Sequence, residues 1–328
     1  MTASRLLRTA ACVCGAAVLA FAAPMEVGKA QLKSAGALAI GPDGVLFVGD
    51  SVGAAIFALD TNDKTPSRGA GALEVKAINE KIAAMLGTSA DQIAINDLVV
   101  NPVSRNVYIS VSRGRGPDAV PVILRADPAG KISEVSLDKI RHASVVLPDP
   151  VSVTGDTPRA QSTRMDTITQ LKYVNGNVLV AGLSNEEFSS SLRSIPYPFQ
   201  SADKAAGIEI YHGSHGRFET NAPVRTFVPY EINHEMNILA AYTCTPLVKI
   251  PVSELKAGAK VKGTTIAELG AGNRPLDMIV YAKDGKHFIL MANSARGVMK
   301  LTAENLDSYK PIVAQTNPRA CRTRPSPD

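Results

Sequence analysis

Hydrophobic positions in this chain form short runs, four to seven residues long, that are separated by turn residues. Runs of this length favour β-strands over helices. One arrangement recurs four times: an apolar run, a turn, a second apolar run ending in small or polar residues, and a third run. The strand pairs at the start of these units cover residues 37–51, 96–112, 168–184 and 276–294. Asp-Gly or Asn-Gly occupies three of the four turns, which is typical of tight β-hairpins.

A fifth unit has weaker turn signals, with strands predicted at Val224–Val228, Ile238–Tyr242, Leu247–Val252 and Thr264–Leu269. Fourth strands of the other units are predicted at Leu73–Ile78, Ile132–Leu137, Ile208–His212 and Ile312–Gln315. Repeated units of about 45 to 70 residues predict an all-β chain, a β-propeller of four-stranded blades. Five blades are visible; six or seven blades, or two β-sandwich domains, stay open as alternatives.

Other segments complete this frame. Ala30–Lys33 is predicted to close the ring by pairing with the last blade, and Asn79–Leu86 to form a short helix with one apolar face. Residues 139–164 and 185–204 read as long inserts between strands. Loops of that length are where a propeller usually holds its ligand.

The chain's first 22 residues have the pattern of an export signal: two arginines, a short apolar run and a small-residue cleavage site. We therefore expect a propeller domain at 23–316, a C-terminal tail at 317–328 and a periplasmic or secreted protein. No later apolar stretch is long enough to span a membrane. The charge balance of 35 basic against 30 acidic residues gives no indication of a nucleic-acid partner.

Cysteine usage leaves one question open. After removal of the signal, Cys244 and Cys321 remain, and an oxidising compartment favours a disulfide between them. Two unpaired thiols account for the sequence equally well.

Two of the hairpins resemble a repeat known from other proteins. Residues 41–51 (GPDGVLFVGDS) and 284–294 (DGKHFILMANS) resemble the "PDG-x-LYVaDS" repeat of NHL, YVTN and gluconolactonase-like propellers. The gluconolactonase-like resemblance implies a divalent metal in the central channel, and residues 95–98 and 275–278 are similar to two of its metal-binding elements. The early glutamate of that group is missing, because residues 34–38 read SAGAL.

Polar residues at the starts of innermost strands are the candidates for a cation site. Carboxylates and amides suit Ca²⁺ or another divalent cation, and they equally suit capping of strand ends. The candidates are Asn96, Asp97, Asp166, Asn233 and Asp277. His212 and His215 form a second pair, three residues apart in a glycine-rich turn, for which spacing alone identifies no third ligand.

Function is less constrained than fold. The chain has no tryptophan, CxxCH or Walker loop, so we expect no nucleotide, haem or quinone cofactor. The leading interpretation is binding of a small molecule or a periplasmic or extracellular protein at the inserts and one channel mouth. The alternative is a metal-dependent hydrolase of the lactonase or esterase type, with Asp97 and Asp277 positioning the cation. A partner of a periplasmic redox enzyme is a third interpretation, and whether the protein is an enzyme stays undecided.

Overall fold

A computed structural model describes residues 24–67, 71–152, 163–244 and 246–317. Over these residues the chain forms five β-sheets, the blades of a β-propeller, with antiparallel strand neighbours except for one parallel pair in blade 3. The predicted fold class and the five blades are confirmed. No helix among these residues is long and apolar enough to cross a membrane. The predicted export signal lies outside the described residues, and export stays a prediction.

The first two blades are interleaved in sequence. Blade 1 has the strand order β2, β3, β4, β9 and β1, with β2 and β1 at its two edges. These strands span Glu26–Gly28 (β1), Leu38–Ile40 (β2), Val45–Asp50 (β3), Ala55–Asp60 (β4) and Ile140–Val146 (β9). Blade 2 lies in sequence between β4 and β9, and it comprises helix α1 (Ile78–Met85) and strands Ile93–Val100 (β5), Val107–Arg113 (β6), Val120–Ala126 (β7) and Ile132–Glu134 (β8).

The other three blades follow one another along the chain. Blade 3 consists of Gln170–Val174 (β10), Asn177–Leu183 (β11), Ser190–Pro196 (β12), Ala206–His212 (β13), Arg217–Glu219 (β14) and, parallel to β13, Lys260–Lys262 (β18). Blade 4 consists of Val224–Ile232 (β15), Glu235–Tyr242 (β16), Pro246–Pro251 (β17) and Thr264–Glu268 (β19). Blade 5 consists of Pro275–Lys283 (β20), Lys286–Asn293 (β21) and Gly297–Thr302 (β22). Short 3₁₀ turns lie at Pro42–Gly44, Ala90–Gln92, Gly116–Asp118 and Val252–Glu254.

The predicted tight hairpins are confirmed by their backbone angles. Both central residues of each turn are left-handed, as a type I′ turn requires, with φ of 54° and 72° at Asp43-Gly44, 48° and 82° at Asn175-Gly176, and 52° and 72° at Asp284-Gly285. Gly44 has a second reason to be glycine, because a Cβ there would lie 2.5 Å from the carbonyl oxygen of Asp63.

Apolar layers between neighbouring blades hold the propeller together. Four layers join the blades in the spatial order 2, 1, 3, 4 and 5. Phe47, for example, is fully buried between blades 1 and 3, where it contacts the rings of Tyr197 and Phe199. A fifth layer packs α1 against the far face of blade 2 through Ile82 and Leu86. Full burial of a large apolar side chain such as Phe47 contributes about 1.5 to 3 kcal/mol to the free energy of folding.

Several strand predictions were wrong. Residues 73–78 contain no strand, and the fourth strand of blade 1 is β9, inside a segment predicted to be an insert. The segment 185–204 was also predicted to be an insert, but it contains β12. Blade 5 has three strands among the described residues, because Ile312 instead donates its backbone N–H to Thr265 of blade 4.

The predicted ring closure was wrong as well. Ala30 donates its backbone N–H to Leu137, and β1 pairs with β9, so the N-terminal segment extends blade 1 and not the last blade. The helix predicted at Asn79–Leu86 is confirmed as α1, and the fifth unit is confirmed as blade 4.

Asp50 and Ser51, the "DS" of the first repeat, join segments of the fold. The buried Asp50 carboxylate accepts backbone N–H bonds from Lys33, Ser34 and Gly53, at 2.8 to 2.9 Å. Ser51 Oγ donates to the carbonyl of Ile168 at 3.1 Å and so connects blade 1 to the segment that leads into β10 of blade 3. In this chain the Asp-Ser pair of the repeat therefore stabilises the fold by hydrogen bonds to backbone groups.

We expect Asp50→Ala to lower the free energy of unfolding by about 3 kcal/mol, because it leaves buried N–H donors without an acceptor. Urea denaturation of the variant would measure the loss. Asp138→Ala is the control, since Asp138 is exposed and pairs with the exposed Lys29, and it should change stability by less than about 0.5 kcal/mol. Equal losses in both variants would contradict the role of Asp50.

Candidate functional site

Three charged side chains from three different blades meet at the axis of the propeller. Asp97 comes from β5, Lys172 from β10 and Asp277 from β20, each on the innermost strand of its blade. We call these three residues the axial cluster. Blades 3 and 5 are not neighbours in the ring, so the approach of Lys172 Nζ to Asp277 Oδ1, at 4.0 Å, crosses the central channel. Asp97 and Asp277 are two of the predicted cation ligands, and binding of a cation by them stays a prediction.

Asp97 is held in place by backbone donors. Its Oδ2 accepts the N–H of Leu38 from blade 1, and its Oδ1 accepts the N–H of Leu98, both at 2.8 Å. Burial raises the pKa of Asp97 to about 6, and the negative charge of Asp277 adds to that rise against the opposing effect of the two N–H donors and Lys172. Asp97 is therefore half ionised at a pH of about 6.

Asp277 has a different set of partners. Its Oδ1 accepts the N–H of Met278 at 2.8 Å and faces the Lys172 ammonium. When all three groups are ionised, the axial cluster carries one net negative charge.

A second charged group lies beside the starts of β10, β15 and β20. Arg225 donates to both carboxylate oxygens of Asp166, at 2.5 and 3.2 Å, which is a bidentate ion pair between blades 3 and 4. Partial burial and the like charge of Arg225 lower the pKa of Arg274 in the same group, while Asp166 raises it. Asp166, a predicted cation ligand, is thus the partner of an arginine.

The other two predicted ligands lie elsewhere. The side-chain amide of Asn96 donates to the carbonyl of Ala35 and to Ser112 Oγ, so it connects blades 1 and 2. Asn233 lies in the turn after β15, at the far end of that strand from Arg225, and its amide donates to Asp307 at 3.4 Å. The structure brings Asp97 and Asp277 together with Lys172, and it does not bring Asn233 to them.

Apolar side chains are exposed next to the axial cluster. Leu98, Leu276 and Ile279 on β5 and β20 are 51%, 54% and 51% exposed. These two strands belong to blades 2 and 5, the two ends of the packing order, and no apolar core cluster joins those blades among the described residues. Exposed apolar side chains therefore lie on the same two innermost strands as Asp97 and Asp277.

A divalent cation, which the gluconolactonase-like resemblance implies, matches this donor set poorly. Ca²⁺ takes about six to eight oxygen ligands. Both oxygens of Asp97 already accept backbone N–H bonds, and the Lys172 ammonium supplies positive charge beside Asp277. We therefore derive no reaction step through a channel metal, and calcium binding stays a prediction.

The predicted histidine pair forms a compact cluster with a carboxylate. His212 Nδ1 lies 2.8 Å from Glu219 Oε2, and His215 Nδ1 lies 2.7 Å from Glu219 Oε1, which Arg217 also contacts at 3.1 Å. Burial opposes ionisation of Glu219, but the bonds from both histidines and Arg217 prevail and lower its pKa to about 2.

Cys244 lies beside this pair, in the turn between β16 and β17, with a left-handed φ of 82°. Sequence spacing could not identify it, because its separation from His215 along the chain says nothing about proximity between blades. Its predicted disulfide partner, Cys321, lies outside the described residues, so the disulfide stays a prediction.

Comparisons with known proteins add little beyond the fold. No protein-family model matches the chain, and no curated protein matches it. Among solved structures, it is similar to a protein of unknown function from Bacteroides caccae, at 12% identity and a TM-score of 0.30, over 88% of this chain and 72% of that one.

Two further structures are described as sugar dehydrogenases. A putative oxidoreductase (glucose dehydrogenase) from Thermus thermophilus is 10% identical, with a TM-score of 0.31, over 85% of this chain and 82% of that one. The PQQ-bound aldose sugar dehydrogenase from Streptomyces coelicolor is 12% identical, with a TM-score of 0.27, over 91% of this chain and 84% of that one. At these identities and TM-scores the likeness supports no statement about the function of this chain, and the expected absence of a quinone stays a prediction.

We expect the pKa of Asp97 to respond in opposite directions to its two charged neighbours. Asp277→Asn removes a like charge and should lower that pKa by about one pH unit, whereas Lys172→Met removes an opposite charge and should raise it. Carboxyl ¹³C chemical shifts followed against pH would measure both. Asp284→Asn, the same substitution in the hairpin at the other end of β20, should leave the titration of Asp97 unchanged. Unchanged titration in both axial variants would contradict the cluster.

We expect Glu219→Gln to lower the free energy of unfolding by about 2 kcal/mol at pH 7. The folded pKa of Glu219 is about 2 against an ordinary 4.5, so its stabilisation is complete above pH 4.5 and is lost as pH falls towards 2. Urea denaturation should therefore show a smaller difference between wild type and variant at pH 3 than at pH 7. Glu187→Gln, at an exposed carboxylate, is the control; a difference that does not change with pH would contradict this account.

Proposed function

We propose that this propeller is a binding protein and that the channel mouth at the axial cluster takes a small molecule with a cationic amine and an apolar portion. The observation that carries the proposal is that the carboxyl groups of Asp97 (blade 2) and Asp277 (blade 5) lie close enough for the charge of Asp277 to raise the pKa of Asp97. Their charge is only partly balanced by Lys172.

Electrostatics favours a singly charged ammonium at this position, which needs about three hydrogen-bond acceptors and not the roughly six to eight oxygen ligands of Ca²⁺. Ionised Asp97 is disfavoured by burial and by Asp277, and a positive charge placed between the two carboxylates relieves both effects. A bound amine therefore stabilises the ionised form of Asp97 and releases its proton. The exposed side chains of Leu98 and Leu276 offer the apolar part of the ligand a surface to cover.

A binding role requires neither a bound metal ion nor a catalytic group among these residues. The hydrolase alternative needs a cation held by Asp97 and Asp277, and the contacts around those carboxylates do not favour it. It stays a prediction, as do export and the periplasmic or secreted location. An export signal on a binding protein would be consistent with capture of the ligand outside the cytoplasm.

The proposal predicts that linear alkylamines bind and that alcohols of the same chain length bind more weakly. Because the cation prefers ionised Asp97, affinity should increase with pH through about 6, by up to about tenfold per pH unit below that value. Isothermal titration calorimetry from pH 5 to pH 8 would measure both effects.

Substitutions of Asp97 and Asp277 test whether the acidic pair, and not the surrounding surface, determines amine binding. Asp97→Asn should remove the pH dependence, and Asp277→Asn should weaken amine binding by about tenfold or more. Asp284→Asn is the matched control and should bind as wild type does. Equal binding of amines and alcohols, or tighter binding of a carboxylate of the same length, would refute the proposal.

A further inference from the structure

A second site is formed where the outer strands of blades 3 and 4 come together. Thr265 Oγ1 of β19 donates to the carbonyl of Tyr211 at 2.6 Å, and the N–H of Gly213 donates to Glu268 Oε1 at 2.9 Å. These bonds fix the turn after β13, which carries His212 and His215, against blade 4. Blade 4 contributes Cys244 from the turn between β16 and β17.

Each of these three residues offers one ligand atom, and the three atoms lie within 4.8 Å of one another. In a tetrahedral zinc site, neighbouring nitrogen and sulfur ligands are about 3.3 to 3.8 Å apart. The difference is small, and two of the three residues have room to move inwards. The His215 side chain is 45% exposed, and Cys244 is partly exposed. Metal binding at this cluster therefore requires only small rotations of the His215 and Cys244 side chains.

Glu219 already orients both imidazoles. One of its carboxylate oxygens faces Nδ1 of His212 and the other faces Nδ1 of His215, so a single carboxylate fixes two rings. Such a carboxylate selects the tautomer protonated at Nδ1, which leaves Nε2 as the metal-binding nitrogen, and it increases the basicity of the ring. Arg217 holds the same carboxylate from the other side.

The donor set determines the class of ion. One thiolate and two imidazoles suit zinc and neighbouring transition metals, whereas Ca²⁺ and Mg²⁺ prefer oxygen ligands. The charges of the thiolate and of Glu219 together balance a divalent ion. Three protein ligands leave a fourth position open to water or to another ligand.

We propose that His212, His215 and Cys244 bind a divalent transition metal of the zinc class, with Glu219 as the residue that orients both histidines. This site is separate from the axial cluster and does not depend on the proposed amine binding. It uses a cysteine for which the sequence suggested a different role.

Co²⁺ is the probe, because its bond to a thiolate gives a charge-transfer absorption in the near ultraviolet. The full chain, reduced and stripped with a chelator, should develop this band with one equivalent of Co²⁺, and Zn²⁺ should displace it. Cys244→Ser should abolish the band. His215→Ala should weaken binding by more than about 100-fold, and Glu219→Gln by about 10- to 100-fold. His215→Ala should lower the apo melting temperature less than Glu219→Gln does, because His212 and Arg217 still bond the carboxylate.

His234→Ala is the matched control, because that histidine is 99% exposed and lies at a different turn. It should bind Co²⁺ and Zn²⁺ as wild type does. The proposal is overturned if the folded wild-type chain gives no charge-transfer band, or if the band persists in Cys244→Ser. Mass spectrometry of the unreduced chain gives an independent test, since a Cys244–Cys321 disulfide in the protein as isolated would also overturn the proposal.

Discussion

The structure depends on one constraint: a blade is a single sheet with two faces, and each apolar face must be covered by a neighbour. Four shared layers satisfy this requirement between successive blades, and α1 covers the far face of blade 2. The chain lacks tryptophan, and the layer between blades 1 and 3 has a cluster of aromatic rings instead, with Phe47 in contact with Tyr173, Tyr197 and Phe199. These layers position the innermost strands, and the innermost strands position the axial charges.

Carboxylates serve three different purposes in this fold, and their hydrogen-bond donors distinguish them. Asp63 is buried, which opposes ionisation, but bonds from Ser104, Asn106, Tyr108 and Asn101 prevail and lower its pKa. A carboxylate with that many donors is a structural anchor for the loop that leads to blade 2. Burial raises the pKa of Asp97, because only two donors oppose that effect and a neighbouring carboxylate adds to it. Glu219 shares its two oxygens between two histidines, which orders the rings.

Local sequence signals were sufficient for the repeated hairpins and insufficient where strands depend on distant partners. Asp-Gly and Asn-Gly force left-handed turns, so the strand pairs around Gly44, Gly176 and Gly285 could be located from the sequence alone. In contrast, β9 pairs with β4 across the whole of blade 2, and no local pattern reports such a pairing. The predicted starts of innermost strands selected Asp97 and Asp277, but the same criterion also selected Asp166, Asn96 and Asn233, which have other partners. It could not show that Lys172 reaches across the channel or that Cys244 lies next to the histidines, because both depend on how blades pack.

The insertion of blade 2 between β4 and β9 has a topological consequence. The chain leaves blade 1 after residue 60, forms blade 2 and returns at residue 140, and we call the segment between these residues the excursion. Residues up to 60 and residues from 140 onwards are joined by a continuous antiparallel ladder in blade 1. A backbone break anywhere in the excursion would leave both fragments bound to the same sheet. The two fragments would then separate only if the hydrogen bonds between β4 and β9 were broken, so strand pairing in blade 1 would keep the cleaved chain associated.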